Sequence, residues 1–317
     1  VIGTFRRGSD TGSENKLWRL KELNLLNKIK LEPLELNDSY SIQKIILKHK
    51  PDEIYHLAGN SFVGDSFKFP QFTLKTNIDS TLNILEAVKL IDRSIKVFFA
   101  SSSEIFDSSE LSKKNEKSKF SPINPYGVSK LTTIQLVKLY RKAYDMKLST
   151  GIMFNHESQF RSRSFVTRKI SFNMARLKLY GGKPMSLGNI NASRDWSSAE
   201  DFVDAMNLIL NKNIFEDLVF ASGKLTSIKK LIETAAKTVG FEPIFFGNGK
   251  NEVCIDKISK LKLVEIDKKY FREIDTPGIT GDFNLLTKKT GWVSKKTILT
   301  VIQDMVKKDL DRLKNKI

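Results

Sequence analysis

Between Val1 and Asn155, short apolar runs rich in β-branched and aromatic residues alternate with stretches whose apolar residues recur at helical spacing. Strands are predicted at 1–5, 29–36, 52–58, 95–100 and 148–154. Between them the spacing predicts a helix from about Ser39, capped by Asp38 or Ser39. A long helix carries Leu74, Ile78, Leu82, Leu85 and Val88, and a further one covers 125–144. A helix between two strands returns the chain to the same end of the sheet, so successive strands run parallel and helices cover both faces. The expected class is α/β, a doubly wound parallel sheet. Beyond Asn155 the pattern loosens into a basic polar loop, a helix over about 165–180, a short segment at 185–187 and a helix through 199–210. The chain is therefore read as a sheet domain over 1–155 and a smaller lobe over 156–317, the lobe interleaved with the last strands of the sheet. The polar, lysine-rich stretch 107–122 reads as a surface loop.

A doubly wound sheet that binds a dinucleotide normally opens with a strand feeding a glycine-rich turn. Backbone N–H groups at the following helix N-terminus hold the pyrophosphate. Gly8 and Gly12 follow the first predicted strand, but the run from Arg6 to Gly12 is too polar and wrongly spaced to be that turn. The expectation is a Rossmann-like sheet whose first strand and glycine-rich loop are missing, with an incomplete pyrophosphate site that leaves the chain as it stands inactive. Arg6-Arg7 closes the first predicted strand. An acidic residue at that place contacts a ribose hydroxyl, whereas arginine suits the additional phosphate of NADP. Two exposed basic residues are the plainer account; the pair favours NADP over NAD.

Composition narrows the function classes. Hydrophobic residues make up 40% and charged residues 28%, as in ordinary globular proteins, and no apolar stretch is long enough to span a bilayer. Cys254 is the only cysteine and there are three histidines, so a disulfide framework is excluded and a metal site has little support. A reducing, cytoplasmic setting is the default. The formal charge of +17 admits a nucleic-acid surface, but the lysines are scattered through amphipathic stretches with no aromatic–basic module among them. A solvated lysine coat that helps attract an anionic substrate is the preferred reading, with no nucleic-acid or membrane partner.

Tyr126-Gly127-Val128-Ser129-Lys130 at a predicted helix start carries the chemistry. Tyrosine and lysine four apart share a helical face, and an ammonium near a phenol stabilises phenolate, making a base usable near neutrality. Alone, this spacing is common on helix surfaces. Upstream, however, a strand ends in Ser101-Ser102-Ser103, at a C-terminal sheet edge where α/β ligands bind. Strand-end hydroxyl, tyrosine and lysine together form the arrangement of short-chain dehydrogenases. Glu104 follows the serine run directly. A reductase or epimerase needs no carboxylate there, whereas a dehydratase must remove the proton beside a new ketone and help expel a hydroxyl. A solvated loop glutamate is the plainer account of Glu104 on its own.

With these residues placed, the chain resembles the GDP-mannose 4,6-dehydratase family, within the extended short-chain dehydrogenases, over nearly its whole length. The matching blocks are Asn155-His156-Glu157-Ser158, Phe165 to Ile170, Leu187-Gly188-Asn189, Arg194-Asp195-Trp196, Tyr270-Phe271-Arg272 and Gly291-Trp292. The resemblance implies Ser102, Glu104, Tyr126 and Lys130 as the catalytic set. It implies Arg7, Glu35, Leu36, Leu57, Ala58, Ser61, Asn77 and His156, with Tyr126 and Lys130, as contacts to NADP, making 1–155 the NADP-binding domain. Ser66, Asn155, Lys169, Arg194 and Arg272 are the implied contacts to a GDP-sugar, making 156–317 mainly a substrate-binding lobe, and a homodimer or homotetramer is the implied assembly.

The implied reaction is an internal redox dehydration of GDP-mannose to GDP-4-dehydro-6-deoxy-mannose, with no net change in NADP. The chain departs from the family's usual pattern at Gln159-Phe160-Arg161-Ser162-Arg163, at Asn60, at Asp107 and at Glu35. These changes leave the reaction class and put the sugar in question, so a dehydratase of another GDP-hexose or GDP-heptose stays open. A GDP-sugar epimerase or reductase is the rival enzyme, and a non-catalytic sugar-nucleotide-binding member is the rival of another class.

Overall fold

The computed structural model describes residues 1–6, 17–109, 112–270 and 278–315. Backbone contacts divide the chain into two compact units. The first comprises residues 1–106, 120–152 and 209–218; the second comprises 107–119, 153–208 and 219–317.

In the first unit, strands β1 (Ile2–Phe5) and β2 (Lys30–Pro33) pair in parallel. A four-stranded sheet has the order β3 (Glu53–His56), β4 (Lys96–Ala100), β5 (Leu148–Met153) and β9 (Asp217–Phe220), with β3–β4 and β4–β5 parallel. Among the described residues β1 and β3 each pair along one edge only, so the expected single sheet is divided between them. The helices are α1 (Trp18–Glu22), α2 (Ser39–His49), α3 (Val63–Lys68), α4 (Pro70–Ile91) and α5 (Pro125–Tyr144).

Local chemistry sets the helix ends. Asp38 caps α2, accepting the Tyr40 N–H at 3.1 Å, and Lys50 closes it in the left-handed region. Pro70 and Pro125 open α4 and α5 at positions whose N–H would be unsatisfied in any case. Ile42 and Ile46 of α2, Leu85 and Val88 of α4 and Val137 of α5 pack with Val97 and Phe99 of β4 in one buried cluster. Strand β4 is apolar on both faces, as helices on both sides of a parallel sheet require.

The second unit holds strands β6 (Asn155–Glu157), β7 (Met185–Leu187), β8 (Ser193–Ser198), β10 (Leu225–Ser227), β11 (Pro243–Phe246), β12 (Val253–Asp256) and β13 (Lys262–Ile266). They form two mixed sheets, ordered β10-β8-β6 and β11-β12-β13-β7. Helices α6 (Val166–Tyr180), α7 (Ala199–Asn211), α8 (Ile228–Thr238), α9 (Asn284–Thr290) and α10 (Ile298–Lys314) complete its secondary structure, α7 running on into the first unit. Ile170 and Met174 of α6, Leu231 of α8 and Ile302 of α10 lie in its core.

The stretch 107–122, expected as a surface loop, holds no helix or strand among its described residues and is exposed or half-buried except at Lys114. Lys114 is buried, its N–H bonded to the Thr280 carbonyl at 2.8 Å, and Glu116 accepts the Val219 N–H at 2.8 Å. The loop is tied down at these two points, by the Lys114 backbone and the Glu116 side chain.

Candidate active site

The site grows from the end of β4. Phe98 and Phe99 are fully buried, and the strand stops where the next side chains turn polar. Ser101 is anchored, its N–H bonding the Gly151 carbonyl at 2.8 Å and its hydroxyl the Lys130 carbonyl at 3.1 Å. Ser102, nearly buried, caps a single turn over Ser103–Ile105 by accepting the Glu104 N–H at 3.3 Å. That turn lifts Glu104 off the strand end.

Helix α5 starts against the same turn. Its cap, Asn124, accepts the Gly127 N–H at 2.7 Å through Oδ1 and donates from Nδ2 to Glu104 Oε2 at 2.7 Å. A Cβ on residue 127 would overlap the Glu104 carbonyl oxygen, so glycine is what lets the helix start come this close. Tyr126 and Lys130 follow, both nearly buried. The Lys130 ammonium donates to the Ala100 carbonyl at 2.9 Å and sits 5.9 Å from the centre of the Tyr126 ring. Burial lowers its pKa from the ordinary lysine value to about 8. His56, on β3, is pushed down to about 3, first by burial and then by the Lys130 charge, so it stays neutral. All four residues expected to be catalytic thus come from two neighbouring segments of the first unit, the end of β4 and the start of α5.

The loop after β3 carries Leu57, Ala58 and Ser61, all exposed. Asn77 of α4 holds this loop: it accepts the Asn60 N–H at 2.8 Å, donates to the Asn60 carbonyl at 3.1 Å and donates to Ser129 Oγ at 2.9 Å. A nearby cavity of about 110 Å³ is lined in part by Arg6, Glu35, Leu36, Ala58 and Thr76. Glu35, Leu36 and Ala58 are among the residues expected to contact a dinucleotide. Arg6 and Glu35 approach to 3.7 Å as an exposed pair. Sequence reasoning missed Thr76, whose buried hydroxyl oxygen has no hydrogen-bond partner in the structure. An unpartnered hydroxyl and a carboxylate around one cavity fit a ligand rich in hydroxyl and ring-nitrogen groups, as an adenosine is. The only signal for Thr76 was its place beside Asn77 on α4, which the periodicity could not turn into a cavity wall.

Ser66, an expected substrate contact, lies on α3. It is fully buried, and its hydroxyl donates to the Val63 carbonyl at 2.7 Å within α3. Arg7 and Arg272 lie outside the described residues.

The remaining expected contacts belong to the second unit. Asn155 and His156 stand on β6, registered with Trp196 and Ser197 of β8. His156 Nδ1 is 2.9 Å from the Phe154 carbonyl, which can only accept, so Nδ1 carries the proton and Nε2 is an acceptor. Burial keeps this imidazole neutral. Lys169 on α6 holds its ammonium 4.5 Å from the centre of the Tyr270 ring, its pKa lowered by burial. Arg194 on β8 donates to the Ser193 carbonyl at 2.8 Å. Its neighbour Asp195, buried, gathers the N–H groups of Ser222, Gly223 and Gly281 and the Ser222 hydroxyl at 2.6–3.1 Å. It organises two loops, a role the sequence did not disclose. Among the described residues no helix is long and apolar enough to cross a membrane.

Comparison with known proteins sets this geometry in a family. The structure resembles that of RMD from Pseudomonas aeruginosa complexed with NADPH, with a TM-score of 0.76 and 23% identity over 98% of this chain and 99% of that one. At that identity the likeness shows the fold, an α/β architecture with a Rossmann-like parallel sheet. The GDP-mannose 4,6 dehydratase of Drosophila melanogaster is 33% identical over 99% of this chain and 80% of its own length. The human GDP-mannose 4,6 dehydratase is 34% identical over 99% of this chain and 86% of its own. A family model described as GDP-mannose 4,6 dehydratase matches residues 1–305. Matched along nearly all of its length by that model and these relatives, the chain belongs to the GDP-mannose 4,6-dehydratase family.

Proposed function

We propose that the protein is a GDP-mannose 4,6-dehydratase, converting GDP-mannose to GDP-4-dehydro-6-deoxy-mannose with NADP as cofactor. The observation that carries this reading is Glu104, raised at the end of β4 and bonded through Asn124 to the start of the helix bearing Tyr126 and Lys130. A reductase or an epimerase has no use for that carboxylate.

Glu35, Leu36, Ala58 and Thr76 would hold the adenosine part of the cofactor, and Arg6 offers a cation to the phosphate that distinguishes NADP from NAD. When bound, the nicotinamide supplies a hydride acceptor and donor. Tyr126 takes the proton of the sugar's C4 hydroxyl; the Lys130 charge stabilises its phenolate, and Ser102 steadies the C4 oxygen. The 4-ketone acidifies the C5 proton, which Glu104 removes. Glu104 then gives that proton to the C6 hydroxyl, which leaves as water, one carboxyl group serving as base and then acid; the C5=C6 bond so formed would take back at C6 the hydride removed from C4, and at C5 the proton that Tyr126 holds. Ser66, Asn155, Lys169, Arg194 and Arg272 are the proposed substrate contacts. The reading also carries a cytoplasmic homodimer or homotetramer, which sedimentation tests.

The deciding assay uses the protein with a glycine-rich first strand and turn supplied ahead of Val1, incubated with GDP-mannose and catalytic NADP. Loss of one water by mass spectrometry, without lasting NADPH and abolished in Glu104→Gln, is the expected outcome. Net NADPH oxidation would favour a reductase, and product only from another GDP-hexose or GDP-heptose would reassign the sugar.

A further inference from the structure

Asn124 has two hydrogen-bonding ends, and the structure uses both. Its Oδ1 faces the Gly127 N–H at 2.7 Å, a donor that only the oxygen can satisfy, so its Nδ2 must face Glu104. The backbone of the helix start therefore fixes which way the amide points. The residue is 6% exposed, so water competes little for either bond. The amide donates to Oε2 of Glu104, and no other hydrogen bond or ion pair to this carboxylate is found among the described residues. Oε1 is left as the oxygen able to exchange a proton.

We propose that Asn124 is a positioning residue for Glu104: it pins Oε2 so that Oε1 meets the sugar's C5 proton and then its C6 hydroxyl. The inference rests on the role given to Glu104 above. It goes beyond capping, because a cap needs only the Oδ1 end. Serine, aspartate and asparagine cap helices about equally well. Asn124→Ser keeps a cap oxygen and lacks the reach to Glu104. Asn124→Asp keeps the cap and sets an acceptor, with like charge, where the donor stood.

The test compares these two variants with the parent chain under the GDP-mannose assay. Both are expected to melt close to the parent and keep KM within a few-fold. Turnover is expected to fall about 100-fold in Asn124→Asp and less in Asn124→Ser, the scale on which misplacing a reacting group is felt. The discriminating readout is the isotope effect from GDP-mannose deuterated at C5. It should grow in both variants, because proton removal by Glu104 becomes the slow step. Unchanged turnover in both variants would overturn the inference, as would a loss of turnover without a larger isotope effect. Parent turnover that survives Glu104→Gln, or no parent turnover at all, removes the proposed function and this inference with it. Turnover that needs Glu104 but ignores residue 124 removes the inference alone.

Discussion

At the residue scale, the most exacting demand falls on Lys130. In the proposed mechanism it must be charged to stabilise a phenolate, yet it is buried, with its pKa brought down to about 8. The sign is simple: a lysine with a lowered pKa loses its ammonium as pH rises through that value. Free-enzyme titrations appear in kcat/KM, so kcat/KM for GDP-mannose is expected to fall above about pH 8. A profile that stays flat to pH 10 would show that the ammonium is not needed. That Tyr126, Lys130 and Glu104 come together was legible in the sequence because it follows from spacing: four residues on one helix face, or the first positions after an apolar strand. Asn124 and Thr76 were not. An asparagine before a proline reads as a cap, and nothing local says that its other end reaches a carboxylate twenty positions away.

At the scale of elements, the ends of α5 were read closely, since Asn124-Pro125 starts a helix by chemistry that needs no tertiary help. The four-residue strands were overrun at their ends, because apolar character continues past the last ladder bond. The stretch 107–122 was legible as a surface loop, but not the buried Lys114 or the Glu116 carboxylate that tie it down, since lysine content says nothing of such partners. Helices α6 and α10 meet through a buried ion pair that periodicity could not foresee. Arg168 donates to both oxygens of Asp309 at 2.9 and 2.5 Å, and Ser171 and Arg312 also donate to that carboxylate. Asp309 is fully buried, and a pair this deep is costly to break because the arginines stay behind uncompensated. Asp309→Asn is expected to destabilise the protein by about 3–5 kcal/mol, read as a lower urea midpoint with little change in slope. A loss below about 1 kcal/mol, the range of an exposed pair, would mean that water reaches the site.

At the scale of the whole molecule, the first unit's fold class was accessible because β–α–β alternation is local. The second unit's sheets were not, since β6 pairs with β8 some forty positions later and no pattern within either strand names its partner. Net charge is a property of this scale alone. A chain of +17 has two readings, a solvated coat or a field that draws in anions, and the substrate distinguishes them. A GDP-sugar carries its negative charge on a diphosphate. If the field acts on it, affinity must weaken as salt shortens the screening distance from about 10 Å at 0.1 M toward about 3 Å at 1 M. Titration calorimetry with GDP-mannose across that range is expected to show a several-fold rise in Kd, and the Glu104→Gln variant allows binding to be measured without turnover. A neutral ligand such as mannose serves as the control. If Kd for GDP-mannose proves as indifferent to salt as the neutral control, the lysines act only as a solvated coat, and recognition of the diphosphate falls to the arginines proposed to contact it.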